Sequence, residues 1–120
     1  MKKRAKRNFI KKSSYALSGF KDILSTESAF RIELVFGLVF LPIIFLIDID
    51  FLDKVLLFFS YMFVLIAEAI NSAIERVVDL VTSQYNEMAK RAKDVGSTIV
   101  FLSIFTAIIT WIVIITNSVL

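Results

Sequence analysis

The chain contains no cysteine and no histidine, one proline and three glycines in 120 residues. Without cysteine there is no disulfide scaffold, thiol nucleophile, iron–sulfur cluster or cysteine zinc site. Without histidine the commonest metal ligand and the usual neutral-pH general base are missing. So little glycine and proline argues against a loop-rich or all-β protein. Chemistry must come from carboxylates, Lys and Arg, amides and hydroxyls. What abounds is apolar: 58% of the residues, against about 45–50% in ordinary soluble domains, with a mean hydropathy of +0.78. That excludes a disordered chain and points to a membrane.

The formal charge is +3, unevenly spread. Lys2, Lys3, Arg4, Lys6, Arg7, Lys11 and Lys12 fall in the first twelve residues, and no acid appears before Asp22. The remainder carries seven basic and eleven acidic residues, a net of −4. A basic segment ahead of apolar spans is drawn to anionic headgroups. It is not read as a signal peptide, because Lys11-Lys12 interrupt the apolar run after Phe9-Ile10. Nothing aromatic or β-rich accompanies it, so nucleic acid is not expected as a partner.

Three apolar stretches follow: 34–47, 55–67 and 95–120. A span needs about 20 residues. The third suffices alone; the first needs 28–33, with Arg31 and Glu33 at the interface. The second becomes a span only as one helix running through Glu68, Asn71, Glu75, Arg76 and Asp79. The expected organisation is an all-α, single membrane domain over 1–120: a basic tail at 1–7, an amphipathic surface helix at 8–26, and transmembrane helices at 28–47, 51–81 and 94–118. Gly19 is a candidate break in the surface helix. Lys90, Arg91 and Lys93 lie between the last two spans, whereas Asp48–Asp53 lies between the first two. The positive-inside rule then places the N-terminus in the cytoplasm and the C-terminus outside.

The chemistry concentrates in Glu68-Ala-Ile-Asn71-Ser-Ala-Ile-Glu75-Arg76-Val-Val-Asp79. At about 100° per residue, Glu68, Asn71, Glu75 and Asp79 share one narrow face, with Glu75 about 10 Å and Asp79 about 16 Å from Glu68 along the axis. A carboxylate at membrane depth is costly and usually functional. Glu68, the deepest, suits a general base. Glu75 and Asp79, nearer water, suit a hard cation such as Mg²⁺. Glu27, at the start of the first span, is placed to join Glu75 at a metal, or to pair with Arg31 as an (i, i+4) neighbour. Lys93 supplies a cation at the mouth of the acidic face, as a nucleoside triphosphate requires. Asp94 reads most simply as the N-cap of the last helix, and Tyr15 and Trp111 as interface anchors. A purely structural polar stripe remains the alternative. There is no Gly-rich phosphate loop.

Residues 68–79, together with Ala-Lys-Arg-Ala-Lys93-Asp94-Val-Gly-Ser97, Glu27-Ser-Ala-Phe-Arg-Ile-Glu33, Asp48-Ile-Asp50 and Thr110-Trp111, resemble the signature of the bacterial integral-membrane diacylglycerol kinases. The likeness runs from about Tyr15 to the C-terminus. It implies a homotrimer in the bacterial inner membrane, with sites shared between subunits. The implied reaction moves the γ-phosphate of MgATP to the hydroxyl of diacylglycerol, giving phosphatidic acid. By resemblance, Glu68 is the base, and Glu27 and Glu75 hold Mg²⁺. Tyr15, Gln84, Tyr85, Asn86, Lys93 and Asp94 serve ATP. Asn71 supports the base, and Glu33, Ser97 and Trp111 line the lipid side. Asn8 stands where the family often has arginine, with Arg7 or Lys11 as substitutes, and Ala16-Leu17-Ser18 lacks a tryptophan of some members. An undecaprenol kinase on the same fold, and a non-catalytic or ion-conducting bundle, are the competing expectations.

Overall fold

The computed structural model describes residues 2–119. Met1, in the basic tail, and Leu120, at the end of the third apolar stretch, lie outside the described residues. Four helices account for nearly all of it: α1 (Lys2–Thr26), α2 (Ser28–Leu46), α3 (Phe51–Val81) and α4 (Glu87–Val119). Helices α2, α3 and α4 are each long and apolar enough to cross a membrane.

Several boundaries differ from expectation, for local reasons. Helix α1 starts at Lys2 and passes through the basic segment and Gly19 unbroken. Lys and Arg are good helix formers, so a charge run need not be a tail. Glu27 ends it: its extended backbone (φ −111°, ψ 108°) makes the elbow into α2. Arg31 does not pair with Glu27. Its Nη1 donates to the Leu24 and Ser25 carbonyls, each at 2.9 Å, capping α1 from the next helix. Helix α4 starts at Glu87, well before residue 94, and Asp94 lies within it rather than at its cap. The cap is Asn86, whose Oδ1 accepts the Ala89 N–H at 3.0 Å.

Helix α2 tolerates Pro42, as membrane helices do when the freed backbone groups find partners. Near its end Lys54, from the first turn of α3, donates to the Phe45 carbonyl at 2.9 Å. Two apolar clusters join the elements. Ile23, Phe30 and Leu65 pack the α1–α2 elbow onto α3. Ile44, Leu57 and Ile114 close the opposite end, with Trp111 beside them. The Trp111 indole N–H donates to Ser60 Oγ at 3.0 Å, a direct α3–α4 tie. With 31 residues, α3 is about 46 Å long, against about 30 Å of hydrocarbon. Its polar C-terminal turns therefore extend past an apolar slab.

Two glycines set helix spacing. A Cβ at Gly37 would overlap the Tyr61 ring, and a Cβ at Gly96 would overlap the Asn71 amide. At the first contact Tyr61 donates its hydroxyl to the Glu33 carbonyl at 2.9 Å. At the second, α4 closes onto the acidic face of α3.

Candidate active site

The acidic face of α3 meets a different element at each level. At the deepest, Glu68 is half-buried, and the Glu33 carboxyl of α2 lies within hydrogen-bonding reach of its carboxyl. One Glu33 oxygen, Oε2, is buried with no hydrogen-bond partner among the described residues. Glu33 also lines an apolar cavity of about 650 Å³ between α2, α3 and α4, whose wall includes Gly37, Tyr61 and Trp111. The side chains expected on the lipid side, Glu33 and Trp111, thus share one cavity. Ser97 is exposed on α4 and is not among the cavity's lining residues.

One level on, Asn71 Nδ2 donates to Glu75 Oε1 at 3.1 Å, an (i, i+4) bond that fixes the Glu75 carboxylate. Asn71 Oδ1, the atom against Gly96, is buried and has no hydrogen-bond partner among the described residues. Ser72, itself buried, donates its hydroxyl to Glu27 Oε1 at 2.9 Å. Glu27 and Glu75 are therefore both anchored on the same stretch of α3. Among the described residues no three Asp, Glu, His or Cys side chains cluster as a metal cage. Two carboxylates do suit Mg²⁺, which keeps most of its shell for water and phosphate oxygens.

At the C-terminal end of the stripe, Lys93 Nζ of α4 reaches Asp79 Oδ1 at 2.6 Å. Both line a polar cleft of about 330 Å³ that also gathers Gln84, Tyr85, Asn86 and Asp94. Asp94 pairs with Lys90 at 2.8 Å. The Tyr85 hydroxyl donates to Glu87 Oε2 at 2.7 Å, and that carboxylate holds the phenol's pKa above its ordinary value. This cleft collects the expected nucleotide residues except Tyr15, which stays exposed on α1 with Arg7 and Lys11.

Some contributors escaped the sequence reading. Ser72 sits inside the quoted motif, but its partner lies 45 residues away. Gly96 also stood in the motif, and a glycine in the interior of a helix is itself a signal of close approach. Tyr61 and Gly37 carry no sequence pattern that pairs them.

Residues 14–115 match the family model described as prokaryotic diacylglycerol kinase. The chain is 44% identical over 102 residues to a protein named diacylglycerol kinase from Escherichia coli (strain K12), covering 85% of this chain and 84% of that one. It is 34% identical to the diacylglycerol kinase of Pseudomonas aeruginosa, covering 82% and 80%. The Haemophilus influenzae diacylglycerol kinase is 33% identical, with 87% and 88% covered. With the match spanning most of both chains, this chain belongs to the prokaryotic diacylglycerol kinase family.

Proposed function

We propose that the protein transfers the γ-phosphate of ATP to the hydroxyl of diacylglycerol at a bacterial inner membrane, giving phosphatidic acid and ADP. The observation that carries this reading is the position of Glu33. Its carboxyl lies near that of Glu68, it lines the apolar cavity, and it has a buried oxygen with no donor among the described residues. A lipid with its tails in that cavity and its hydroxyl at the Glu33–Glu68 pair satisfies all three. The relatives' printed name supplies the substrate.

In the proposed mechanism Glu68 accepts the hydroxyl proton as the lipid oxygen attacks the γ-phosphorus and the bond to the β-bridging oxygen breaks. Asn71 steadies Glu75 and keeps the acidic face ordered. Glu27 and Glu75 would hold Mg²⁺, which when bound neutralises phosphate charge. Lys93 leaves Asp79 for the phosphates and stabilises charge on the transferring group. Gln84, Tyr85, Asn86 and Asp94 form the wall against which the nucleotide lies, with Tyr15 approaching from α1. Helix α1 rests on the cytoplasmic surface, its basic residues toward anionic headgroups. The N-terminus is cytoplasmic and the C-terminus external. The exposed apolar faces of α2 and α4 are covered in a homotrimer or by lipid.

Labelled ATP with Mg²⁺ tests this in detergent micelles offered diacylglycerol and undecaprenol side by side, with Glu68→Gln as control. Label in phosphatidic acid, lost in the variant, is the expected result. Preferential labelling of undecaprenol would move the substrate assignment. Transfer to neither lipid would leave a non-catalytic bundle.

A further inference from the structure

We propose that Arg76 is a positioning residue that locks the roll of α1 about its own axis, and so sets how the Tyr15 face of α1 is presented to the nucleotide. The inference rests on Tyr15 serving ATP, as proposed above.

The Arg76 guanidinium forks between two residues of α1. Its Nη1 pairs with the Asp22 carboxylate, and its Nη2 donates to Thr26 Oγ1 at 2.8 Å. Thr26 donates its own hydroxyl proton to the Asp22 carbonyl at 2.8 Å, which leaves its lone pairs for the arginine. Asp22 and Thr26 stand one helical turn apart, so a single planar group grips one face at two points.

That face is the Tyr15 face. Seven residues separate Tyr15 from Asp22, which at about 100° each brings them within about 20° and about 10 Å along the axis. The apolar residues of α1 that pack inward lie further round the helix, Ile23 about 80° and Phe20 about 140° from Tyr15. Ile23 meets Phe30 and Leu65, and the Phe20 ring stands edge-on to Phe30 at 5.8 Å. Apolar contacts are non-directional, so they tolerate a roll of the helix that the arginine fork does not. Among the described residues, the fork makes the side-chain hydrogen bonds that join α1 to α3. It springs from the residue after Glu75 and one turn beyond Ser72, which holds Glu27. The element that positions the candidate metal carboxylates thereby orients α1 as well.

Both partners of the ion pair are about half exposed. An exposed pair adds little to overall stability. Its effect therefore shows in orientation, and the test separates the two. In the full chain, Arg76→Ala is expected to raise KM for MgATP roughly threefold to fivefold. The kcat and the KM for lipid stay within about twofold. Arg76→Lys, which cannot fork, falls between, and Asp22→Asn combined with Arg76→Ala adds nothing further. The absence of cysteine permits a second reading by spin labels at Ser18→Cys and Leu80→Cys, diluted with unlabelled protein. The label-to-label distance distribution should broaden in Arg76→Ala. If Arg76→Ala does not assemble, Asp22→Asn and Thr26→Val give the same two readings. Unchanged KM together with an unchanged distribution overturns the proposal, as does a loss of kcat that tracks loss of assembled protein. Should the unaltered protein phosphorylate no lipid, the function assigned above fails while the spin-label distances still decide the clasp.

Discussion

Gly96 of α4 sits against the Asn71 amide of α3 so closely that a single added methyl group has no room. Asn71 in turn holds Glu75 at 3.1 Å. Helix spacing and the carboxylate's position are thus one variable. Gly96→Ala must move either α4 or the tip of the Asn71 amide, and shifting that tip disturbs its bond to Glu75. Overpacking of this kind costs about 1–3 kcal/mol. The expected outcome is lower thermal stability in detergent and a fall in kinase activity larger than the loss of folded protein. A Gly96→Ala protein with normal activity would show that Asn71 can shift freely.

The Glu33 contact gives a second test. Its backbone carbonyl accepts the Tyr61 hydroxyl, and its carboxyl meets Glu68. Gly37→Ala collides with the Tyr61 ring and should displace Glu33 from Glu68. Tyr61→Phe removes only the hydroxyl, at about 0.5–1.5 kcal/mol for an ordinary hydrogen bond. Activity should therefore fall far more in Gly37→Ala than in Tyr61→Phe. Equal effects would mean that the hydroxyl, not the packing, positions Glu33.

Much of this was open to a sequence reading, and the failures share a cause. The three spans and the acidic stripe of Glu68, Asn71, Glu75 and Asp79 follow from apolar length and the 3.6-residue period, which are local properties. Helix ends did not follow. Hydropathy turns apolar at Val95, which predicts a last helix beginning beside it, with Asp94 as cap. Hydropathy marks where an apolar slab begins, whereas the cap marks where backbone N–H groups need partners. Asn86 meets that need more than two turns earlier. The basic residues of α1 misled in the same way. Pairings across elements, such as Ser72 with Glu27 and Glu33 with Glu68, depend on how helices cross and have no local signature.

Lys93 and Asp79 form a pair at 2.6 Å that is about half exposed. If the lysine leaves Asp79 to bind phosphate, the two substitutions should act differently. Lys93→Gln removes a charge that stabilises the transferring phosphoryl group, and kcat/KM for MgATP should fall by about two orders of magnitude or more. Asp79→Asn frees the lysine without removing it, so its effect should be smaller and confined mainly to KM. Steady-state kinetics with varied MgATP separates these cases. Equal losses in both variants would mean that the ion pair itself is the functional unit.

Asn86 offers a test in which structure and catalysis part company. Its side chain caps α4 at Ala89, and it also lines the polar cleft. Asn86→Ala should cost about 1 kcal/mol of helix stability and fray the first turn, where Glu87 holds the Tyr85 hydroxyl. Asn86→Ser and Asn86→Asp keep a capping oxygen and should restore the helix. If capping is the residue's whole contribution, both should also restore KM for MgATP. If the amide contacts nucleotide, Asp should recover stability while KM stays high, because a carboxylate repels phosphate. Thermal unfolding and KM measured on the same three variants distinguish the two roles, since only a cap makes the two quantities recover together.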